Sequence, residues 1–387
     1  MAYHEEFSLP EGILEHLCAR GLDGIDEAVR IVVNAAMRAE REAYLNATPY
    51  ERHPGRVGHA NGYKPKTVKT RVGAITFDVP QVREGGFQPS ALEKGLRSER
   101  ALNVALAEMY IQGVSTRKVA RVVEELCGCE VTSTSVSRAA AELDEVLSAW
   151  RERPLGICPY LYLDARYEKV RRNGSVQDAA VLIGVGVDRE GRRSVLGVSV
   201  SLGEHEVHWR AFISSLVERG LSGVQLVICD DHAGLRAART AVLGGVPWQR
   251  CQFHLQQNAQ AYVPKAEMKK DVADEIRRIF NAAHRAEADQ LLRACVAKYE
   301  KTAPKLAAWM EENIPEGLTV FSFPQEHQRK LRTSNGVERL NQEIRRRTRV
   351  ARLFPNEGSL LRLVGAVLME ISDDWETDKR YVTFNSR

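Results

Sequence analysis

The spacing of apolar residues changes several times along this chain, and each change predicts a different kind of element. Between residues 11 and 47, Ile13, Leu14, Leu17, Ile25, Val29, Val32, Val33 and Ala36 recur at roughly helical spacing. Pro54-Gly55 and Asn61-Gly62 interrupt that pattern. Alternation then takes over: Ile75, Phe77 and Val79 are interleaved with Ala74, Thr76 and Asp78 after a turn near Gly73, which predicts a hairpin over 66–83. Helical spacing returns over 99–150 as three short helices. The first covers about Glu99–Gln112. The second is capped by Ser115 or Thr116 and stops at Gly128, and the third is capped by Thr132. Short capped helices separated by a glycine predict a helix-turn-helix, whose last helix offers its first residues to DNA.

Residues 158–240 have another rhythm. Near-continuous apolar runs at 159–164, 177–187, 193–202 and 224–230 predict strands, with helices over 206–219 and 232–243. Three strands, a helix, a strand and a helix give a mixed α/β sheet, the order expected of a ribonuclease-H-like core. Residues 245–330 read as helices punctuated by Pro264, Pro304, Pro315 and Pro324, and 356–375 as one apolar helix. The expected organisation is an N-terminal helical and hairpin region (1–97), a helix-turn-helix domain (98–152), a first part of the catalytic core (153–244), a helical insertion (245–330) and a C-terminal part of the core (331–387).

Charge sharpens this reading. The chain has 387 residues and a net charge of only +4, but the charge is unevenly placed. From Arg52 to Arg71 there are six Lys/Arg and no Asp/Glu, and from Arg339 to Arg352 there are six Arg against the single Glu343. Such patches suit a polyanion. Seven scattered cysteines make no secreted disulfide framework and fit a reduced, cytoplasmic compartment. No apolar stretch is long enough to span a membrane, and the first residues have no secretory character.

Three carboxylates stand out against this background. Asp164 ends the run Tyr160-Leu-Tyr-Leu-Asp, Asp230 ends Val224-Gln-Leu-Val-Ile-Cys-Asp, and Glu338 opens a basic helical stretch. Acids at the ends of buried strands plus one on a helix can converge on hard divalent cations, and two-metal sites cut and join phosphodiesters. Glu343 would point about 140° away from Glu338 around a helix and has Arg346 or Arg347 in reach for a surface pair. Cys251 and His254 are spaced like half of a zinc site, but no partner pair with suitable spacing accompanies them. Trp248, just ahead of them, suits either the core or a stack on an unpaired base.

Taken together, the motifs resemble the Mutator-type DDE transposases of bacterial insertion sequences. The ordered set includes Asn61-Gly-Tyr63, Thr70-Arg-Val-Gly73, Gly113-Val-Ser-Thr-Arg117, Leu163-Asp-Ala165, Asp230-Asp-His-Ala-Gly-Leu235, Trp248-Gln-Arg-Cys-Gln-Phe-His254 and Thr333-Ser-Asn-Gly-Val-Glu-Arg-Leu-Asn341. The resemblance implies a ribonuclease-H-like fold with a helical insertion, and an acidic triad on Asp164, Asp230 and Glu338. It also implies Mg²⁺-dependent chemistry and recognition of terminal inverted repeats, with Cys251 and His254 beside the active site. One departure is Asp231, where the family usually has a small residue; the spacing to His232 selects Asp230 as ligand and leaves Asp231 as a helix N-cap.

The expected activity is cleavage and joining of double-stranded DNA, with two Mg²⁺ ions (or Mn²⁺) held by the triad, in a dimer or larger assembly. DNA contacts are expected from Arg52, Arg56, Lys64, Lys66 and Arg71 in the basic hairpin module and from Arg117, Ser133, Ser135 and Arg138 in the helix-turn-helix. Arg339, Arg345, Arg346 and Arg347 beside Glu338 complete the set. The rival readings are a helix-turn-helix regulator with an inactive core and a ribonuclease-H-like nuclease acting on hybrids or junctions.

Overall fold

The computed structural model describes residues 12–52, 54–83, 86–92, 98–351, 353–377 and 380–384, and of Arg100, Asn335, Glu338, Val350 and Ala351 it describes the backbone. The chain divides into two units, Met1–Glu142 and Leu143–Arg387.

In the first unit, α1 (Ile13–Arg20) and α2 (Ile25–Leu45) precede an antiparallel hairpin of β1 (Ala60–Thr70) and β2 (Gly73–Val82). The hairpin therefore starts earlier than the alternation suggested. Its alternate residues Val68, Ile75, Phe77 and Val79 are buried against Met37, Val29 and Val33 of α2. The buried Asn34 amide of α2 accepts the Asp78 N–H at 3.0 Å, so this polar side chain in the interface is satisfied. Three helices follow: α3 (Arg100–Ile111), α4 (Thr116–Cys127) and α5 (Ser133–Ala141). They bury Leu102, Leu106, Val119, Val123, Val136 and Ala139 together. Ser115 accepts the Lys118 N–H and Thr132 accepts the Ser135 N–H, so both helices start on hydroxyl caps. Gly128 ends α4 at φ 61°, a left-handed conformation that a side chain disfavours.

The second unit opens with α6 (Asp144–Glu152). The periodicity suggested one helix from Thr132 to about residue 150; the backbone instead breaks after Ala141. The five-stranded mixed sheet contains β3 (Tyr160–Arg172), β4 (Ser175–Val187), β5 (Arg193–Ser201), β6 (Leu226–Cys229) and β7 (Trp248–Arg250), ordered β5-β4-β3-β6-β7. β3, β4 and β5 pair antiparallel, whereas β6 and β7 run parallel to β3. α7 (Glu206–Glu218) and α8 (Ala233–Leu243) cover one face, where Leu161, Leu163, Leu182 and Leu196 meet Trp209, Phe212, Ile213, Leu216 and Leu235.

β7 was not foreseen; it places Trp248 in the sheet, so the helical insertion begins after it. α9 (Gln252–Ala259), α10 (Met268–Phe280), α11 (Arg285–Tyr299), α12 (Pro304–Asn313) and α13 (Gln325–Leu331) make up the insertion. It has its own core around Val272, Ile276, Leu292, Leu306 and Met310. Its two ends are stitched together: the Gln252 N–H donates to the Arg332 carbonyl at 3.0 Å, and Cys251 Sγ accepts from both the N–H and the hydroxyl of Ser334 at 3.4 Å. α14 (Asn335–Ala351) and α15 (Glu357–Thr377) then return to the sheet, α14 packing on β3 and α15 on β5 and α6. Arg362 of α15 forks onto Asp144 of α6 at 2.7 and 2.6 Å, which fastens α6 to this unit. Among the described residues no helix is long and apolar enough to cross a membrane.

Candidate catalytic site

Asp164 stands where β3 parts from β6. The parallel pairing covers only Tyr160–Tyr162 against Leu226–Ile228, while the pairing of β3 with β4 continues to Arg172. The strand thus does not end at Asp164, as the apolar run suggested, but runs eight residues further. Burial pushes the Asp164 carboxyl up to about 6 and the charge of Asp230 adds to this. His254, the Ala165 N–H and Asn341 pull the other way.

Asp230 follows directly after β6. Its Oδ1 accepts the Asp231 N–H at 2.7 Å, and its Oδ2 lies 3.8 Å from Nδ1 of His254. His254 is on the first turns of α9 and is pushed up to about 9, chiefly by its hydrogen bond with Cys251 and then by the Cys251, Asp230 and Asp164 charges, against burial. The Cys251 thiol is lowered despite its burial, because His254 and the Ser334 donors favour the thiolate. Cys251 and His254 thus link three parts of the site: the end of β7, the residue before α14, and the two acids.

Asp231 behaves differently from its neighbour. Its Oδ1 pairs with Arg236 at 2.6 Å and its Oδ2 with the buried Arg250 at 3.1 Å, and both arginines also hold Glu316. The expected N-cap role is not what it performs: the cap position of α8 belongs to His232, which makes no side-chain cap bond. A buried guanidinium needs a carboxylate more than an exposed helix start does, which accounts for the difference. Three residues after Asp231, Gly234 lies against the 204–205 backbone, where a Cβ would sit 2.1 Å from the Glu204 carbonyl oxygen. Only glycine lets the chain turn this closely from Asp230 into α8.

Trp248 packs against the sheet core, donates from Nε1 to Cys229 Sγ at 3.0 Å and is covered by Arg236 and Arg239 at 5.0 and 4.8 Å from its ring centre. The aromatic that stands open next to His254 is Phe253, 48% exposed and edge-on to that imidazole at 5.4 Å. Nothing in the periodicity distinguished Phe253 from a core residue.

Glu338 lies on the first turn of α14, and its side chain falls outside the described residues. One turn later, Asn341 donates from Nδ2 to Asp164 Oδ2 at 2.7 Å, while its Oδ1 is buried with no hydrogen-bond partner. Sequence reasoning passed over Asn341 as a site residue. Glu343 pairs with Arg346 at 2.9 Å, as its i+3 spacing suggested. Arg339, Arg345 and Arg346 are exposed. Arg347 is a correction to the expected DNA contacts, since it is 6% exposed and reaches Glu370 of α15 at 3.4 Å.

In the first unit, Arg52, Lys64, Arg71, Arg117, Ser133 and Arg138 are exposed, and Lys66 and Ser135 are half-buried. Arg56 is partly committed to its own loop, donating to the carbonyls of Gly58 and Glu51. Arg71 pairs with Glu99 at 2.8 Å.

The donor set suits a hard cation. Asp164 and Asp230 are mutually repelling carboxylates with His254 beside both, and Asn341 adds an unsatisfied amide oxygen. Among the described residues no three His, Cys, Asp or Glu side chains gather into a metal-holding group.

Comparison with known proteins places this geometry in context. Residues 12–378 match the family described as "Transposase, Mutator family". The chain is 58% identical over 387 residues to the transposase for insertion sequence element IS406 of Burkholderia multivorans, covering all of both chains. It is 44% identical to the transposase for ISRM5 of Rhizobium meliloti, over 94% of this chain and 91% of that one. To the transposase for IS256 in transposon Tn4001 of Staphylococcus aureus it is 36% identical, over 92% of each.

Proposed function

The chain belongs to the Mutator family of transposases, and on that footing we propose that Asp164, Asp230 and Glu338 form the catalytic acids with which it cuts and joins DNA at the ends of its insertion sequence. The observation that carries this reading is the contrast between two adjacent acids. Asp231 is neutralised on both oxygens by Arg236 and Arg250, whereas Asp230 remains 39% exposed and faces His254 and the crowded Asp164. A sheet of three antiparallel strands continued by parallel β6 and β7, with α14 laid on β3, supports a ribonuclease-H-like core.

Asp164, Asp230 and Glu338 would hold Mg²⁺ or Mn²⁺. Such ions, when bound, would supply Lewis-acid chemistry for activating a water or DNA 3′-hydroxyl and for stabilising a leaving oxygen. The remaining roles belong to the chain's own residues. Asn341 orients Asp164 through its 2.7 Å bond. His254, protonated through neutral pH, keeps a positive charge beside both acids and limits their repulsion before DNA and metal arrive. Arg339, Arg345 and Arg346 offer cations to phosphates on the exposed side of α14. In the first unit, α4 and α5 act as a helix-turn-helix in which Ser133 and Arg138 approach base edges and Arg117 a phosphate. Two DNA ends must be handled together, so the working form is a dimer or larger; one protein per pair of ends in a sizing experiment would overturn this.

The test is cleavage and joining of a labelled duplex carrying the inverted repeats that flank the gene, with Mg²⁺ or Mn²⁺, for wild type and Asp164→Asn. Activity lost in the variant with DNA binding retained supports the reading. Specific binding without cleavage by the wild type in either metal would favour a regulator with an inactive core.

A further inference from the structure

β3 is far longer than its parallel partner requires, and its second half has its own partner. Asp164, Arg166 and Glu168 alternate onto one side of the strand, and each meets α14. Asp164 Oδ2 accepts from Asn341 Nδ2 at 2.7 Å; Arg166 donates from a terminal nitrogen to the Asn341 carbonyl at 3.1 Å; Glu168 Oε1 accepts the Thr348 hydroxyl at 3.0 Å. Arg166 Nε also holds Glu168 Oε1 at 2.6 Å, with the two side chains 18% and 13% exposed. Beyond the helix, the Phe354 N–H donates to the Lys169 carbonyl at 3.0 Å and the Phe354 carbonyl accepts the Arg171 N–H at 2.8 Å.

We propose that Arg166, Glu168 and Thr348 are positioning residues that, with Asn341 and the Phe354 bridge, clamp α14 to β3 and so fix the third acid of the triad opposite the first. The proposal rests on the transposase reading above. The geometry explains why several points are needed. Asn341 and Thr348 are seven residues apart, two helical turns on one face and about 10 Å of rise. Asp164 and Glu168 are four strand residues apart, about 13 Å. Attachments at both ends of such a span fix the rotation of the helix as well as its position along the strand; a single one would leave it free to pivot. Glu338 stands three residues before Asn341, so its backbone travels with the clamp. A slip of one turn would move it by about 5 Å, far outside the tolerance of a carboxylate that is to hold a metal ion. Thr348 itself is 2% exposed and touches no part of the proposed metal site, so its hydroxyl acts through Glu168.

The experiment compares full-length wild type, Thr348→Val, Thr348→Ser and Glu168→Gln. Two readouts do not need turnover: amide hydrogen exchange over 335–341 without metal, and Mn²⁺ affinity by electron paramagnetic resonance. Thr348→Val keeps the shape and removes the hydroxyl. It should speed exchange over 335–341 by about tenfold while leaving α7 and α8 unchanged, and weaken Mn²⁺ binding by roughly 10–100-fold. Thr348→Ser, which keeps the hydroxyl, should restore both. Exchange over 335–341 unchanged in Thr348→Val and Glu168→Gln, or a serine variant no better than valine, would overturn the clamp. Should Thr348→Val unfold globally, exchange would rise in α7 and α8 as well, and Glu168→Gln against wild type then decides; should Glu168→Gln unfold, the valine and serine comparison decides. If wild type neither binds Mn²⁺ nor cuts DNA, it is the metal-dependent transposase reading that falls, and the exchange comparison still judges the clamp.

Discussion

Replacing Asp164 by Asn should make the folded chain more stable while abolishing cleavage. The carboxyl titrates near 6 rather than at its ordinary 3.8 because protein atoms crowd it and Asp230 repels its charge. At about 1.36 kcal/mol per pH unit, that rise amounts to roughly 3 kcal/mol against the folded state once the group is ionised. The sign follows from proton binding. The folded state holds this proton more tightly than the unfolded chain, so the penalty is absent below pH 3.8, grows as the pH passes from 3.8 to about 6, and stays constant above that. Asparagine carries no charge and escapes the penalty, but it weakens the charge-assisted bond from Asn341. A net gain of about 1–3 kcal/mol is expected at pH 8, or roughly 3–9 °C in Tm for a unit of this size. The assay is thermal unfolding of both proteins in chelator at pH 8 and pH 4, beside a DNA-binding measurement. No gain at pH 8, or a gain as large at pH 4, would refute the reasoning. Adding Mg²⁺ at pH 8 should narrow the gap, because the ion offsets a repulsion that only the wild type has.

Other expectations follow from the same geometry. Asp230→Asn should remove cleavage with little loss of stability, whereas Asp231→Asn should leave the buried Arg250 with Glu316 as its one remaining carboxylate of the two, lower stability by about 1–3 kcal/mol and leave measurable cleavage; urea unfolding beside the cleavage assay separates the two. Cys251→Ala takes away the main partner of His254, so the NMR titration midpoint of that imidazole should fall by about one pH unit or more from near 9; an unmoved midpoint would count against the pair. Phe253→Ala should weaken binding of a DNA end with unpaired bases by about tenfold and of an intact duplex much less, checked by competition of the two ligands. Arg345→Ala should lower the salt slope of DNA binding by about 1, while Arg347→Ala should change stability and leave that slope in place.

The parts of the fold legible in the sequence are those where one side of an element decides everything. β4 from Ala179 onward and the middle of β5 are buried on both faces and read as apolar runs, and the caps at Ser115 and Thr132 announced their helices. β7 was invisible because it is three residues long and carries Gln249 and Arg250, polar side chains with distant partners at Gly317, Asn313 and Glu316 in the insertion and at Asp231. The break before α6 has no glycine or proline to signal it. The outer half of β3 places Arg166, Glu168 and Val170 on one side and carries no apolar run, because its polar side chains are satisfied by α14, more than 170 residues away. Asp164 and Asp230 stood out as candidates from strand context, and the structure sets both beside His254. Asn341 and Phe253 were not, since a hydrogen bond across 177 residues and an exposed aromatic leave no mark on local pattern. The signal available in retrospect is Arg166-x-Glu168 continuing on the same strand side as Asp164.

The stitch between Gln252 and Arg332, reinforced by Cys251 and Ser334, also bears on how such a chain changes over generations. The helices from α9 to α13 leave the sheet and come back at a single place, and α10–α12 bury a core of their own. Residues can be added to or lost from the connections within that helical block without altering where the chain re-enters at Ser334. The block is therefore free to vary in length and surface while the chain on either side of it keeps its place on the sheet.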